Sequence, residues 1–286
     1  MATAFSENLT AEQQSQVLQV FQQFQHPSLQ KDLIALNTLK KVEKGSDVLR
    51  IELQLPFAWN TGVEQVKQQL SDALLKATDS KEIKWVVNYQ IATLKRANNQ
   101  PAVKGVKNII AVTSGKGGVG KSSVSVNLAL ALQAQGARVG ILDADIYGPS
   151  VPHMLGAPHQ RPTSPDNQHI TPIKAHGLSA NSIGFLMDED NATIWRGPMA
   201  SSALSQLLNE TLWDSLDYLV IDMPPGTGDI QLTLSQQIPV TGAVVVTTPQ
   251  DIALLDAVKG VSMFERVSVP VLGIVENMSM HICSNC

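Results

Sequence analysis

The chain has 286 residues, 43% hydrophobic and 16% charged, so it is long enough for about two domains and can bury a core without disulfide cross-links. Its net charge of −4 at pH 7 gives no general electrostatic reason to bind nucleic acid or an anionic membrane. The N-terminal residues are polar, without a basic start and an apolar core, and no uncharged apolar run reaches about 18 residues. We therefore expect a cytoplasmic protein that has neither nucleic acid nor a membrane as partner.

The first hundred residues alternate between helical and strand patterns. Apolar residues at helical spacing predict helices over 10–24 and 62–77, and alternation predicts strands over 48–55 and 83–89. Residues 31–42 form a mixed segment. We expect a small α+β domain over residues 1–96, followed by a linker over 97–106 that is rich in Asn, Pro and Gly.

From residue 107 the pattern changes to short apolar strands that alternate with helices. The predicted strands are 108–113, 138–142, 218–221, 243–247 and 271–275. Helices are predicted over 122–135 and 252–266, and residues 150–190 form an irregular insertion. This order predicts an α/β domain over 107–286 with a mainly parallel sheet that is covered on both faces.

A glycine-rich motif lies between the first of these strands and its helix. Residues 115–122, Gly-Lys-Gly-Gly-Val-Gly-Lys-Ser, match the phosphate-loop pattern Gly-x4-Gly-Lys-Ser for ATP. Glycines let backbone N–H groups turn toward phosphate oxygens, and the helix N-terminus adds its positive dipole end. Lys121 would pair with the β- and γ-phosphates, and Ser122 would bind Mg²⁺. The residues predicted to contact the nucleotide here are Gly115, Lys116, Gly117, Gly118, Val119, Gly120, Lys121, Ser122 and Ser123. The alternative is a glycine-rich turn with a chance Lys-Ser pair.

Three aspartates follow predicted strands. Asp222 ends one apolar strand, where a carboxylate can support Mg²⁺, and Pro224-Pro225-Gly226 after it is a stiff turn suited to sensing the γ-phosphate. Asp143 and Asp145 end another strand, at the carboxyl edge where such sheets bind ligands. Strand-end aspartates also serve as helix caps or turn formers, which is the alternative for each of them.

The chain's two cysteines are Cys283 and Cys286, a Cys-x-x-Cys pair. A tetrahedral thiolate site usually needs four thiolates, which a two-fold dimer would supply from two chains. The spacing alone leaves an iron–sulfur cluster, a zinc site and a redox dithiol open.

The position of Lys116 gives the loop a more specific resemblance. A lysine at this point resembles the deviant Walker A loop of the ParA/MinD/nitrogenase-iron-protein group of ATPases. The resemblance implies a nucleotide-dependent homodimer in which Lys116 reaches the partner's phosphates, as an arginine finger does. It also implies that Asp145 orients or activates the attacking water, that Asp143 lies nearby and that Asp222 supports Mg²⁺.

A wider set of motifs is similar to the Mrp/ApbC family. The segments that carry the resemblance are 114–122, 143–150, 195–199, 222–229 and 276–279, with the Cys-x-x-Cys pair. The resemblance implies slow ATP hydrolysis, a [4Fe–4S] cluster at the homodimer interface on Cys283 and Cys286, and transfer of that cluster to apoproteins, with cluster-assembly scaffolds as further partners. It also implies that Asn277 contacts the adenine. The first hundred residues resemble the small domain that accompanies iron–sulfur assembly proteins and bacterial Mrp proteins.

Two other functions remain as alternatives. A ParA/MinD-like partition or positioning ATPase would act on DNA or membrane and would need a basic patch or an amphipathic terminal helix. A pure scaffold would bind nucleotide without turnover. Members of the Mrp/ApbC family generally continue past the cysteine pair, so we also expect that this chain is truncated after Cys286.

Overall fold

The computed structural model describes residues 3–186, 197–280 and 282–283. The chain divides into two units, Met1–Ala92 with Ala134–Ala137, and Thr93–Gln133 with Arg138–Cys286. The predicted boundaries at 96 and 107 stay a prediction. In the described part of the chain, no helix is both long and apolar enough to cross a membrane.

The first unit contains a four-stranded mixed sheet and two helices. Its elements are β1 (Ala4–Phe5), α1 (Ala11–Gln22), β2 (Leu39–Lys44), β3 (Val48–Leu55), α2 (Asn60–Thr78) and β4 (Glu82–Tyr89). The strands lie in chain order, parallel for β1–β2 and β3–β4 and antiparallel for β2–β3. Helix α1 packs against α2.

The core of this unit follows from the sequence patterns. Every second residue of β3 from Leu49 to Leu55 is buried, and α2 buries Val63, Val66, Leu70 and Leu74 at helical spacing. At the start of α1 the Thr10 hydroxyl accepts from the N–H of Gln13 at 3.2 Å, and the Gln13 side chain accepts from the N–H of Thr10, which forms a capping box.

The second unit is built on a seven-stranded sheet. Its strands are β5 (Val106–Ser114), β6 (Val139–Asp143), β7 (Ile173–Ala175), β8 (Leu178–Ser182), β9 (Leu216–Asp222), β10 (Gly242–Thr247) and β11 (Val271–Glu276). Its helices are α3 (Lys121–Ala134), α4 (Val151–Met154), α5 (Gly197–Asn209), α6 (Asp229–Gln237) and α7 (Asp251–Arg266).

The strand order is β11-β10-β5-β9-β6-β8-β7, and every pair is parallel except β7–β8. The predicted α/β class with a mainly parallel sheet is therefore confirmed. Because parallel strands end at one edge, β5, β9 and β6 bring the glycine loop, Asp222 and Asp143 to the same side of the sheet. In register, Asp222 lies opposite both Val112 of β5 and Asp143 of β6.

One segment departs from the predicted pattern. Residues 150–190 were predicted as irregular, but they contain α4, β7 and the wholly buried β8. Strand β8 reads Leu-Ser-Ala-Asn-Ser, which is too polar to resemble a core strand. Its polar side chains are buried because they are hydrogen-bonded: Asn181 donates to Thr211 Oγ1 at 2.7 Å, and Ser182 donates to Asp143 Oδ2 at 3.1 Å.

Among the described residues, the edge of the sheet at β11 has exposed apolar side chains. Leu272 and Ile274 of the edge strand β11 are 57% and 59% exposed, and on α7 Ile252 and Leu255 are 71% and 64% exposed. The central strands β5, β9 and β6, in contrast, are nearly all buried. The glycine loop thus follows a strand held in the interior of the sheet.

Candidate functional site

The glycine loop joins the end of β5 to the start of α3, as its motif predicts. Gly118 and Gly120 have φ of +80° and +83°, a backbone conformation that residues with a Cβ rarely adopt. Gly117 and Gly118 are exposed, whereas Val119 is 2% exposed and anchors the loop. The exposed turn before a helix N-terminus is suited to binding an anion through backbone N–H groups.

A buried charge cluster lies directly behind this loop. Lys121 Nζ is 2.8 Å from Asp222 Oδ1, with the two side chains 6% and 0% exposed. Ser122 Oγ donates to Asp222 Oδ2 at 2.5 Å, and Ser125 Oγ donates to Oδ1 at 2.7 Å. The Asp222 carboxylate is therefore compensated by a cation and two hydroxyl donors. Breaking a buried pair of this kind by removing one partner costs about 3–5 kcal/mol.

Asp145 and Asp143 extend the cluster toward β6. Asp145 Oδ2 is 3.8 Å from Lys121 Nζ, and its side chain is 15% exposed. Burial raises the pKa of Asp145, and the charge of Lys121 opposes that rise. Asp143 is fully buried and accepts hydrogen bonds at 3.1 Å from the backbone N–H groups of Asp145 and Val151. Burial, reinforced by the charge of Asp222, raises the pKa of Asp143 to about 7.

Ser114, the last residue of β5, connects the loop to the turn after β9. Its hydroxyl donates to the Lys116 carbonyl at 2.8 Å, and its own carbonyl accepts from the N–H of Gly226 at 2.8 Å. Gly226 has φ of +104° and open space where a Cβ would lie. The predicted phosphate-sensing turn therefore lies against the phosphate loop.

The remaining predicted loop residues have ordinary positions. Gly115 packs on α7, since a Cβ there would lie 2.4 Å from the Asp256 carbonyl oxygen. Lys116 is partly exposed, and Ser123 is exposed on the first turn of α3. The Ser123 carbonyl accepts from Asn127 Nδ2 at 2.8 Å.

Asn277 follows β11 and lies at the loop. Its Nδ2 donates to the Val119 carbonyl at 2.9 Å, and its backbone N–H donates to the Thr247 carbonyl at 2.8 Å. The predicted contact between Asn277 and adenine stays a prediction.

The cysteine pair and one further motif are only partly described. Cys283 is exposed, while Cys286 lies outside the described residues. Trp195 and Arg196 of the motif 195–199 also lie outside them, and Met199 of that motif is exposed. Their predicted roles stay predictions.

The residues present fit Mg²⁺. Ser122 Oγ and Asp222 Oδ2 lie 2.5 Å apart and are oxygen atoms, the ligand type that Mg²⁺ prefers. Within the described ranges, no group of three or more His, Cys, Asp or Glu residues is placed to hold a metal. At phosphate sites, Mg²⁺ is commonly held by one or two protein oxygens, with phosphate and water supplying the other ligands.

The sequence patterns missed two buried polar residues of the site, Ser125 and Gln231. Ser125 lies one turn after Lys121 on α3, so helical spacing alone would place it on the same face. Gln231 on α6 is 2% exposed, and its Nε2 donates to Thr113 Oγ1 on β5. This contact joins residues 118 positions apart in the chain, so no local pattern would reveal it.

Comparison with known proteins identifies the family of this chain. The model of the NUBPL iron-transfer P-loop NTPases, within the ParA group, matches residues 105–286. The chain belongs to this family. The glycine loop, Lys121 and Asp222 all lie within the matched residues.

Close relatives of this NUBPL-type NTPase share both of its units. A Haemophilus influenzae protein named iron-sulfur cluster carrier protein is 90% identical over all 286 residues, which cover 77% of that relative. The protein of the same name from Escherichia coli K12 is 67% identical over 92% of this chain and 71% of its own length. The similarity therefore includes residues 1–104, which the family model does not match.

A solved structure resembles the second unit's fold. A nucleotide-binding protein from Archaeoglobus fulgidus in complex with ADP is 40% identical, with a TM-score of 0.56 over 64% of this chain and 72% of that one. The bound ADP is a property of that protein, and it agrees with the nucleotide chemistry inferred from the loop.

Proposed function

We propose that this NUBPL-type NTPase is an ATP-hydrolysing carrier of iron–sulfur clusters. The observation that carries the proposal is the 90% identity, along the whole chain, to a protein named iron-sulfur cluster carrier protein. The cargo is a [4Fe–4S] cluster, bound by Cys283 and Cys286 of two chains at a homodimer interface and passed to apoproteins. Cluster-assembly scaffolds are the proposed source of the cargo.

The number of cysteines per chain supports this arrangement. A [4Fe–4S] cluster takes four thiolates, and one chain has two cysteines. A two-fold axis presents the same patch twice, so two chains supply the full set. Thiolates of this kind persist in a reducing compartment, which fits the cytoplasm.

Different residues of the chain have separate roles in the proposed ATP hydrolysis. Backbone N–H groups of the loop 115–120 bind the phosphates, and Lys121 neutralises their developing charge. Lys121 lies between Asp222 and Asp145, which fixes its ammonium group in the site. Mg²⁺, when bound by Ser122 and Asp222, supplies positive charge to the phosphate oxygens.

Asp145 is the proposed group that orients the attacking water. The water attacks the γ-phosphorus, the bond to the β–γ bridging oxygen breaks, and the water's proton passes to an acceptor. Asp145 lies at the carboxyl edge, 3.8 Å from Lys121, and is partly exposed, so a water can reach it. Its pKa, raised by burial, makes it a stronger base than an exposed aspartate. Lys116 of the partner chain adds the further positive charge.

Anaerobic loading with iron and sulfide tests the cargo. The wild-type chain should develop broad visible absorption and bind about two iron atoms per chain, one cluster for two chains. Cys283→Ala combined with Cys286→Ala should abolish both signals, because no other cysteine is present.

Ser279→Ala is the matched control, since Ser279 lies in the same exposed segment and its hydroxyl is 3.5 Å from the Glu276 carbonyl. Undiminished loading in the double variant would show that the cysteines do not hold the cargo. Four iron atoms per chain would contradict a cluster shared between two chains.

A further inference from the structure

Asn277 is held from two sides at the carboxyl edge of the sheet. Its backbone N–H donates to the Thr247 carbonyl at the end of β10, at 2.8 Å. Its side-chain amide reaches in the other direction and donates to the Val119 carbonyl of the phosphate loop, at 2.9 Å. The residue therefore fastens the end of β11 to the loop that binds nucleotide.

The packing at this contact is close. A Cβ on Gly120 would lie 2.3 Å from Asn277 Nδ2 and 3.7 Å from Met278 Cε. Glycine at position 120 thus allows the Asn277 amide to lie directly on the loop. A change in the backbone at Val119 and Gly120 displaces the carbonyl that Asn277 binds.

The chain beyond Asn277 leads to a cysteine. Met278 has φ of +58°, a left-handed conformation that residues other than glycine rarely adopt. Met278, Met280 and Ile282 are 61%, 92% and 91% exposed, and Cys283, six residues after Asn277, is exposed as well. Asn277, with its two hydrogen bonds, and Met278 thus lie at the start of the stretch that leads to Cys283.

We propose that Asn277 is a positioning residue that couples the conformation of the phosphate loop to the segment carrying Cys283. Phosphates bound by the loop's N–H groups reorient its peptides, and the Val119 carbonyl turns with them. The Asn277 amide follows that carbonyl and shifts the start of the exposed segment. This inference rests on the proposed function, in which Cys283 binds the cluster. The nucleotide state then sets how Cys283 is presented to the cluster.

The reactivity of Cys283 in the cluster-free protein tests the coupling. With Cys286→Ser as background, Cys283 is the single thiol, and its alkylation by iodoacetamide can be followed directly. Saturating ATP with Mg²⁺ should change the alkylation rate by about fivefold or more, the lower end of ordinary coupling between sites. Asn277→Ala should bring the ratio of the rates with and without nucleotide close to one.

Two matched variants separate the hydrogen bond from other effects. Asn277→Asp keeps the size of the side chain but lacks the amide donor, so it should lose the nucleotide effect as Asn277→Ala does. Ser279→Ala, in the same exposed segment, should keep it. Binding of a fluorescent ATP analogue is measured for each variant, and rates are compared at saturation, so that a weaker affinity does not imitate lost coupling.

An unchanged ratio in Asn277→Ala would overturn the proposal. An alkylation rate in the Cys286→Ser protein that is the same with and without ATP, although the analogue binds, would also overturn the proposal. Because alkylation needs no cluster, a failure here is distinct from a failure of cluster loading, which tests the proposed function.

Discussion

The two buried aspartates at the carboxyl edge, Asp143 and Asp222, are neighbours in register but have different partners. Asp222 has an ammonium group at 2.8 Å and two hydroxyl donors. Asp143 is held by two backbone N–H groups and the Ser182 hydroxyl. Hydrogen bonds from neutral donors do not offset its burial and the charge of Asp222, and its pKa rises to about 7.

This difference predicts a stability that depends on pH. Because the pKa of Asp143 in the folded protein lies above its ordinary 3.8, the folded state binds more protons than the unfolded state between those values. The free energy of unfolding therefore falls as pH rises from about 4 to 7, by at most about 1.4 kcal/mol per pH unit from this group. Asp143→Asn, in EDTA without nucleotide, should be less stable than wild type at pH 5 and approach it by pH 8, measured by urea denaturation.

Ser279→Ala, an exposed substitution that removes no titratable group, is the control. The stability difference between Ser279→Ala and wild type should stay constant over the same pH range. A constant difference for Asp143→Asn as well would mean that Asp143 is ionised in the folded protein throughout.

At the level of elements, helix α7 and the phosphate loop are packed without a gap. A Cβ on Gly115 would meet the carbonyl oxygen, carbonyl carbon and Cβ of Asp256 at 2.4, 2.5 and 2.6 Å. Backbone and Cβ atoms cannot swing aside as a long side chain does, so the loop or the helix has to shift.

Gly115→Ala should therefore destabilise the protein by about 1–3 kcal/mol, the usual cost of overpacking, and weaken nucleotide binding. Gly117→Ala is the matched control in the same loop, because nothing lies within 4 Å of its Cβ position. Its stability should stay within about 0.5 kcal/mol of wild type. Chemical denaturation measures both, and equal stabilities would disprove the tight packing of α7 on Gly115.

The sequence could predict those elements that are contiguous along the chain. The strand β5, the loop and α3 are contiguous, so apolar periodicity and the glycine motif suffice to locate them. Strand β8 escaped prediction because Asn181 and Ser182 are satisfied by residues from other elements, and hydropathy does not register a distant partner. The contact of Asn277 with Val119 spans 158 positions and was likewise beyond reach.

At the level of the whole molecule, the proposed carrier depends on two chains acting together. In the proposed dimer, the partly exposed Lys116 would reach the nucleotide of the partner chain, and each chain would supply two of the four cluster thiolates.

Lys116→Ala should bind nucleotide nearly as wild type but lose about a thousandfold or more in ATP turnover, as an enzyme does without its arginine finger. Lys121→Ala should instead lose nucleotide binding and stability, because it leaves Asp222 buried without its cation. Steady-state ATPase assays and sedimentation with and without ATP measure these effects, with the exposed Lys104→Ala as control. Wild-type turnover in both variants would refute the assigned roles.

Ser114 connects the two loops of the site. Its carbonyl oxygen accepts from Gly226 in the turn after β9, and its hydroxyl donates to the Lys116 carbonyl in the loop after β5. The two loops therefore share one anchor residue, and a displacement of Ser114 alters a contact of each.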